Sequence, residues 1–228
     1  MFLEVAPAND PGGRAPQEPR RPLYLTRQSR KTYLRPVARP KAFDREQALL
    51  AAMQVFWVKG YEATSLEDLL AAMKIGRQSL YDTFGDKRAL FMEALGRYRE
   101  LTDAYLRGCL ADAPTVKAAF QRLFMQVVDE PESHQRRGCL LINSAVELAP
   151  HDPATAQIVA AYQRATERLF RRGLELAQER GELAADRDVR ALARYLVSAM
   201  QGLRVMAKAD PNKAALRDVV GVALGVLG

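Results

Sequence analysis

Between Phe43 and Tyr98 apolar residues recur at helical spacing, but the runs are cut unusually short. Leu49, Ala52, Met53 and Phe56 fall at i, i+3, i+4 and i+7, one buried face of a helix. Asp44 is placed to cap its start and Gly60 to stop it after Lys59. Thr64-Ser65-Leu66-Glu67 then reads as a capping box, with Thr64 as N-cap and Glu67 at its third helical position. Leu66, Leu69, Leu70 and Met73 repeat the buried pattern over a short helix. Lys74-Ile75-Gly76 is a tight connection containing the glycine that a sharp turn favours, and a third short helix spans about Arg77 to Phe84. Gly85 ends it. Asp86 caps a fourth helix to about Arg107, with Leu90, Phe91, Ala94, Leu95, Tyr98 and Tyr105 as its buried stripe.

The rest of the chain continues in helices, expected near 114–128, 137–149, 153–180, 186–208 and 211–227. Ala113-Pro114, Asp129-Glu130-Pro131, Asp152-Pro153, Gly181 and Asp210-Pro211 supply the breaks, with proline read as sitting just inside helix starts. Alternating apolar and polar runs with β-branched enrichment are scarce, so the fold class is all-α: a three-helix helix-turn-helix domain, then a helical bundle for ligand binding and dimerisation. The expected domains are a basic, disordered extension over 1–40, a DNA-binding domain over 41–88, and an effector and dimerisation domain over 89–228.

A helix-turn-helix places its second helix in the major groove of DNA. Leu80 and Phe84, one turn apart, should anchor that helix inward, leaving Gln78, Ser79, Tyr81 and Asp82 on its outer face and flanks. Arg77, at the helix start, can reach sideways. Arginine grips guanine bidentately, glutamine pairs with adenine, and aspartate accepts from cytosine N4. Thr64, Ser65, Tyr81 and Lys87 suit phosphate contacts, some of them at helix N-termini. Thr83 completes the candidate set. Taken singly, Tyr81 reads more often as a half-buried aromatic and Lys87 as a solvated lysine; their joint spacing behind a capped helix and a turn points to DNA.

The segment FDREQALLAAMQVFWVKGYEATSLEDLLAAMKIGRQSLYDTFGDKRALFMEAL resembles the DNA-binding domain of tetracycline-repressor (TetR) type regulators almost end to end. That resemblance implies that Tyr81 and Lys87 hold the DNA backbone and that Arg77, Gln78 and Ser79 lie nearest the bases. Asp82 departs from the family's usual histidine or other aromatic, and a carboxylate in the groove repels phosphate. RRGCLLINSAVELAPHDP and LVSAMQGLRVMAKA resemble the regulatory domain of a TetR subgroup. Such domains are bundles that bind a small effector and dimerise through their last two long helices. The expected function is therefore a homodimeric repressor, released from a palindromic double-stranded DNA operator by a small-molecule effector.

The residues agree with a dimer through 186–227. Val189, Leu192, Leu196, Met200, Leu203 and Val205, with Leu216, Val219, Val220, Ala223, Leu224 and Leu227, offer more apolar surface than one intramolecular face needs. Phe120, Phe124, Met125, Cys139, Ile142, Asn143, Tyr162, Phe170, Tyr195 and Met200 are candidates to line an effector cavity, although each taken singly reads first as core.

Enzymatic readings find no footing. His134 and His151, the only histidines, have no metal-ligand spacing, and no GxSxG, P-loop or GxGxxG string occurs. No catalytic residue, metal or cofactor is expected. The two cysteines, Cys109 and Cys139, suit a reducing cytoplasm, and no apolar run is long enough to span a bilayer. An all-helical small-molecule carrier or enzyme, and a structural oligomer, are the rival classes; neither needs a polar face around Gln78 and Tyr81. The net charge of +7 is concentrated in the first forty residues, which suits either a DNA-tracking arm or a solvated tail. The stretch from Val37, VARPKAFDREQ, resembles the usual start of the family's proteins, so translation beginning there is also expected.

Overall fold

The computed structural model describes residues 43–228. The expectations for the basic arm and for Val37 lie outside those residues. Asp44 opens α1 (Arg45–Lys59), its carboxylate accepting from the backbone N–H groups of Glu46 and Gln47. These are donors that a first turn leaves without helical partners. Ala48, Leu49, Ala52, Met53 and Phe56 form the buried face, and Gly60 ends the helix at φ 81°.

The next helix starts one residue later than the sequence predicts. Ser65, not Thr64, is the N-cap of α2 (Leu66–Met73), and Asp68, not Glu67, closes the box. The Asp68 N–H donates to Ser65 Oγ, and the Asp68 carboxylate accepts from the Ser65 N–H. Both registers match the same string; burial decides between them. Thr64 is 1% exposed and its hydroxyl donates to the Gly60 carbonyl, so it closes the preceding turn instead.

The turn itself is also built differently. Lys74 takes the left-handed conformation at φ 54°, whereas Gly76 has an ordinary φ of −76° as N-cap of α3 (Arg77–Phe84). A left-handed residue after a helix is the usual way to turn the chain away from it. Here a lysine bears the cost, on the order of 1–2 kcal/mol for an L side chain. Asp86 caps α4 (Lys87–Ala111) through the Ala89 N–H, and α4 runs about a turn past the expected end.

The remaining elements are α5 (Val116–Asp129), α6 (Glu132–Gln135), α7 (Leu140–Glu147), α8 (Pro153–Glu179), α9 (Val189–Ala209) and α10 (Lys213–Gly225). The helix expected over 137–149 is the shorter α7, held back by a bend at Gly138 with φ 67°, and the unexpected single turn α6 precedes it. Pro153 stands in the first turn of α8 behind its cap Asp152, as predicted. Pro114 and Pro211 lie outside their helices, which Thr115 and Asn212 cap.

Two hydrophobic clusters hold these helices. One gathers α1 to the first half of α4 around Phe56, Leu69, Leu80 and Phe91, and takes in Cys139, Leu140, Leu141, Leu148 and Val159 from α7 and its neighbours. The other joins Leu106 and Cys109 of α4 to α5, α8, α9 and α10. The packing therefore crosses the sequence position expected as a domain boundary, and the described residues 43–228 form one unit. Phe56 and Phe91 meet edge to face at 5.1 Å in the first cluster. Removing such a fully buried ring costs about 3–5 kcal/mol. Both α4 and α8 contribute to both clusters, α4 with Leu90 to Tyr98 in the first and Leu106 and Cys109 in the second, α8 with Val159 in the first and Phe170, Leu174 and Ala177 in the second.

Polar contacts tie α1, the turn after it and the start of α4 to the bundle. Trp57 Nε1 donates to the Gly138 carbonyl at 3.0 Å, and Arg137 donates to Gln54 at 2.7 Å. The Glu147 carboxylate accepts from the backbone N–H groups of Tyr61 and Glu62 at 3.2 and 2.9 Å. Arg88 grips Asp152 with both terminal nitrogens, at 2.8 and 2.7 Å, and holds that carboxyl well below the ordinary carboxylate range. No helix among the described residues is long and apolar enough to cross a membrane.

Candidate nucleic-acid interface

The outer face of α3 is fixed from beneath. Leu80 is fully buried and Phe84 is 4% exposed. The Arg45 guanidinium stacks over the Phe84 ring at 4.9 Å while pairing with Glu93 at 2.6 Å, tying α1, α3 and α4 together at that point. Because the helix is anchored on one side, Arg77, Gln78, Tyr81 and Asp82 are left exposed, with Ser79 and Thr83 half-buried on the flanks. This is the disposition expected from the spacing of Leu80 and Phe84.

The side chains are not idle. Arg77 pairs with Glu67 at 2.8 Å, both mostly exposed. An ion pair so placed contributes only about 0–1 kcal/mol, so guanine or phosphate can compete for the guanidinium. Gln78 Nε2 donates to Asp82 Oδ1 at 2.8 Å across one helical turn. Asp82 thus has a partner on its own helix, which a reading of it as an isolated carboxylate in the groove did not foresee. Lys87 Nζ lies 4.4 Å over the Tyr61 ring, at the first turn of α4, and pairs with no carboxylate among the described residues.

Of the two residues expected to meet phosphate at the start of α2, Ser65 is exposed and Thr64 is not. Thr64 is set aside as a contact, because its hydroxyl is committed inside the turn. Below it, Lys59 donates to Asp68 at 2.6 Å, and this bond with those from Ser65 lowers the Asp68 carboxyl to about 2. Lys74 was missed. It is an exposed cation in the turn between the two helices, a position the Lys74-Ile75-Gly76 string already placed it in.

The expected effector residues fall into separate places. Phe120, Phe124 and Phe170 are fully buried in the second cluster, Phe120 and Phe170 edge to face at 4.9 Å, and Met125 and Met200 pack against the same cluster. Cys139 belongs to the first cluster, with Ile142 and Tyr162 at its margin. Asn143 is taken: its amide donates to the Arg137 carbonyl and its oxygen accepts from Lys208. Tyr195 is 42% exposed on the outer side of α9, so it lines no interior cavity. It borders a groove of about 480 Å³ along α9 and α10, with Gly202, Met206, Val219 and Val222. No group of three or more metal-ligating side chains occurs among the described residues.

Residues 48–94 match the family of bacterial regulatory proteins described as tetR, and residues 114–222 match the tetracyclin repressor-like C-terminal domain. The HTH-type transcriptional regulator YezE of Bacillus subtilis (strain 168) is 40% identical over 193 residues, 84% of this chain and all of YezE. The HTH-type transcriptional repressor ComR of Escherichia coli (strain K12) is 33% identical over 82% of this chain and 90% of its own. Among solved structures, a cysteine mutant of the TetR family regulator CifR, complexed with 26 bp of double-strand operator DNA, superposes with a TM-score of 0.72. It is 37% identical and covers 82% of this chain and 98% of CifR. The chain belongs to the TetR family and is a DNA-binding transcriptional regulator with a helix-turn-helix.

Proposed function

We propose that the chain is a homodimeric repressor that binds a palindromic operator through α3 and leaves it when a small molecule enters the region 89–228. The observation that carries this reading is the rigid polar face of α3. Arg77, Gln78, Tyr81 and Asp82 project from a helix whose underside is locked by Leu80 and Phe84. Such a face reads base edges, while Ser65, Tyr81 and Lys87 are positioned for the phosphates. ComR's description as a repressor, and CifR's capture on operator DNA, support the same reading.

The partner surface is the groove between α9 and α10. Tyr195, Met206, Val205 and Val222 are exposed there or beside it, an apolar array that a second copy would cover. Of the residues read from the sequence as partner surface over 186–227, Leu192, Leu196, Leu203, Leu216, Val220, Ala223, Leu224 and Leu227 are instead buried in the chain's own second cluster, because α9 and α10 pack on α5 and α8, while Val205 is exposed. Two copies would set their α3 helices about 34–36 Å apart, one turn of DNA. Switching would run through α4, which starts beside α3 and ends in the second cluster, and through Glu147, which grips the turn between α1 and α2. The effector must favour the arrangement that cannot bind DNA. The cytoplasm is the corresponding compartment. Selection of duplexes from a random pool tests the reading: an enriched inverted repeat with half-sites one helical turn apart supports it, and no enrichment over random sequence refutes it.

A further inference from the structure

We propose that Arg204 anchors the effector and that the effector carries a carboxylate; this rests on the small-molecule reading above. Arg204 lies on α9, one turn after Met200, which packs against the second cluster. Its side chain is only 19% exposed. A guanidinium has five N–H donors in a fixed fork. Among the described residues Arg204 makes no hydrogen bond, and its one ion pair, to Glu130, is long at 3.8 Å. A largely buried cation so loosely held is expensive unless something else partners it.

The surroundings suit an anion with an apolar body. Glu130 caps α5, and Gln126 stands one turn before it on the same side of that helix. Both polar atoms of the Gln126 amide are buried with no hydrogen-bond partner. Native interiors rarely leave an amide without partners, so the Gln126 side chain offers a polar ligand both a donor and an acceptor here. Tyr98 and Tyr162 lie within electrostatic reach of Arg204, as does Cys139. Burial pushes both phenols far above their ordinary value, so they remain neutral hydroxyls able to donate. A carboxylate entering here would replace the stretched Glu130 contact with a bidentate one to Arg204. Glu130 is then a competitor whose charge the ligand must outbid.

The test uses the full chain with butyrate, hexanoate, benzoate and phenylacetate, each beside its primary amide. Saturation-transfer NMR reads binding, and displacement of a fluorescent selected duplex reads operator release. At least one carboxylate should bind roughly tenfold or more tightly than its amide, a gap expected when a charged partner is lost. Arg204→Gln should abolish that preference. Glu130→Gln should tighten carboxylate binding several-fold, which a purely structural Glu130 would not do. Amides that bind as well as the acids, a panel in which no carboxylate binds, or a preference that survives Arg204→Gln would overturn the proposal. If Arg204→Gln fails to fold, Glu130→Gln decides alone, and unchanged or weaker carboxylate binding overturns it. Carboxylates that bind at Arg204 without releasing the duplex would leave the anion site standing and sink the effector reading. Release by the amides alone would do the reverse.

Discussion

Asp82 shows how much one side chain's partner changes its meaning. A carboxylate can only accept, so its 2.8 Å bond to Gln78 fixes which end of that amide points inward along the helix. The Gln78 oxygen is left outward as an acceptor, beside the second carboxylate oxygen. The pair therefore suits base edges that carry amino groups, adenine N6 or cytosine N4. Asp82→Ala should free the amide and blunt discrimination at that base pair by about 1–3 kcal/mol, the scale of one good base contact. Competition titrations with single-base operator variants check this; unchanged discrimination would remove Asp82 from the reading. Lys87→Ala should behave differently. It should weaken cognate and random duplexes alike and lower the salt slope by about one phosphate's share. A loss confined to the cognate duplex would contradict a backbone role. The residue types on α3 were legible in the sequence because Leu80 and Phe84 fix the rotation of the helix. The pairing of Asp82 with Gln78 was not, since i and i+4 spacing permits a bond without requiring it.

Capping controls the elements that present α3. Ser65→Ala removes the acceptor for the Asp68 N–H and should cost about 1 kcal/mol of stability. Thermal melting of Ser65→Ala and Thr64→Ser should separate the two: the first lowers the midpoint, while the second keeps the hydroxyl donated to Gly60. An unchanged midpoint for Ser65→Ala would remove Ser65 as the cap. Asp68 has its folded pKa lowered, to about 2, chiefly by Lys59 and then by Ser65. A depressed carboxyl stabilises the fold above its unfolded value of about 3.9 and loses that contribution as pH falls through the folded one. Its carboxyl carbon should titrate near 2 by NMR, and a midpoint near 4 would mean the box is open in solution. Helix positions were readable because apolar spacing survives from sequence to structure, as at Leu49, Ala52, Met53 and Phe56. The single-turn α6 was not, because four residues carry no period. Nor was Lys74 as the turning residue, since glycine is the habitual choice and its presence two positions away misdirected the reading.

At the scale of the whole molecule, the last helix divides its apolar residues between two tasks. Leu216, Val220, Ala223, Leu224 and Leu227 are buried within the chain's own second cluster. Val222, 75% exposed, is not, and it belongs to the surface proposed above for a second copy. The sequence showed a surplus of apolar residues over 186–227 but not which of them were surplus. A charge at Leu224 would unfold the chain, whereas Val222→Glu should yield a folded monomer by sedimentation with its helical content intact. A dimer that tolerates Val222→Glu would place the interface elsewhere. Arg204 stayed hidden for a related reason: an arginine inside a helical pattern reads as solvated, and only the packing of α5, α8 and α9 shows it turned inward. The measurement that bears most directly on the central claim is the stoichiometry and symmetry of the DNA complex. Sedimentation of the chain on a duplex selected from a random pool should give two chains per inverted repeat, with binding that weakens steeply as salt rises. One chain on a site without symmetry, or affinity indifferent to both sequence and salt, would contradict it.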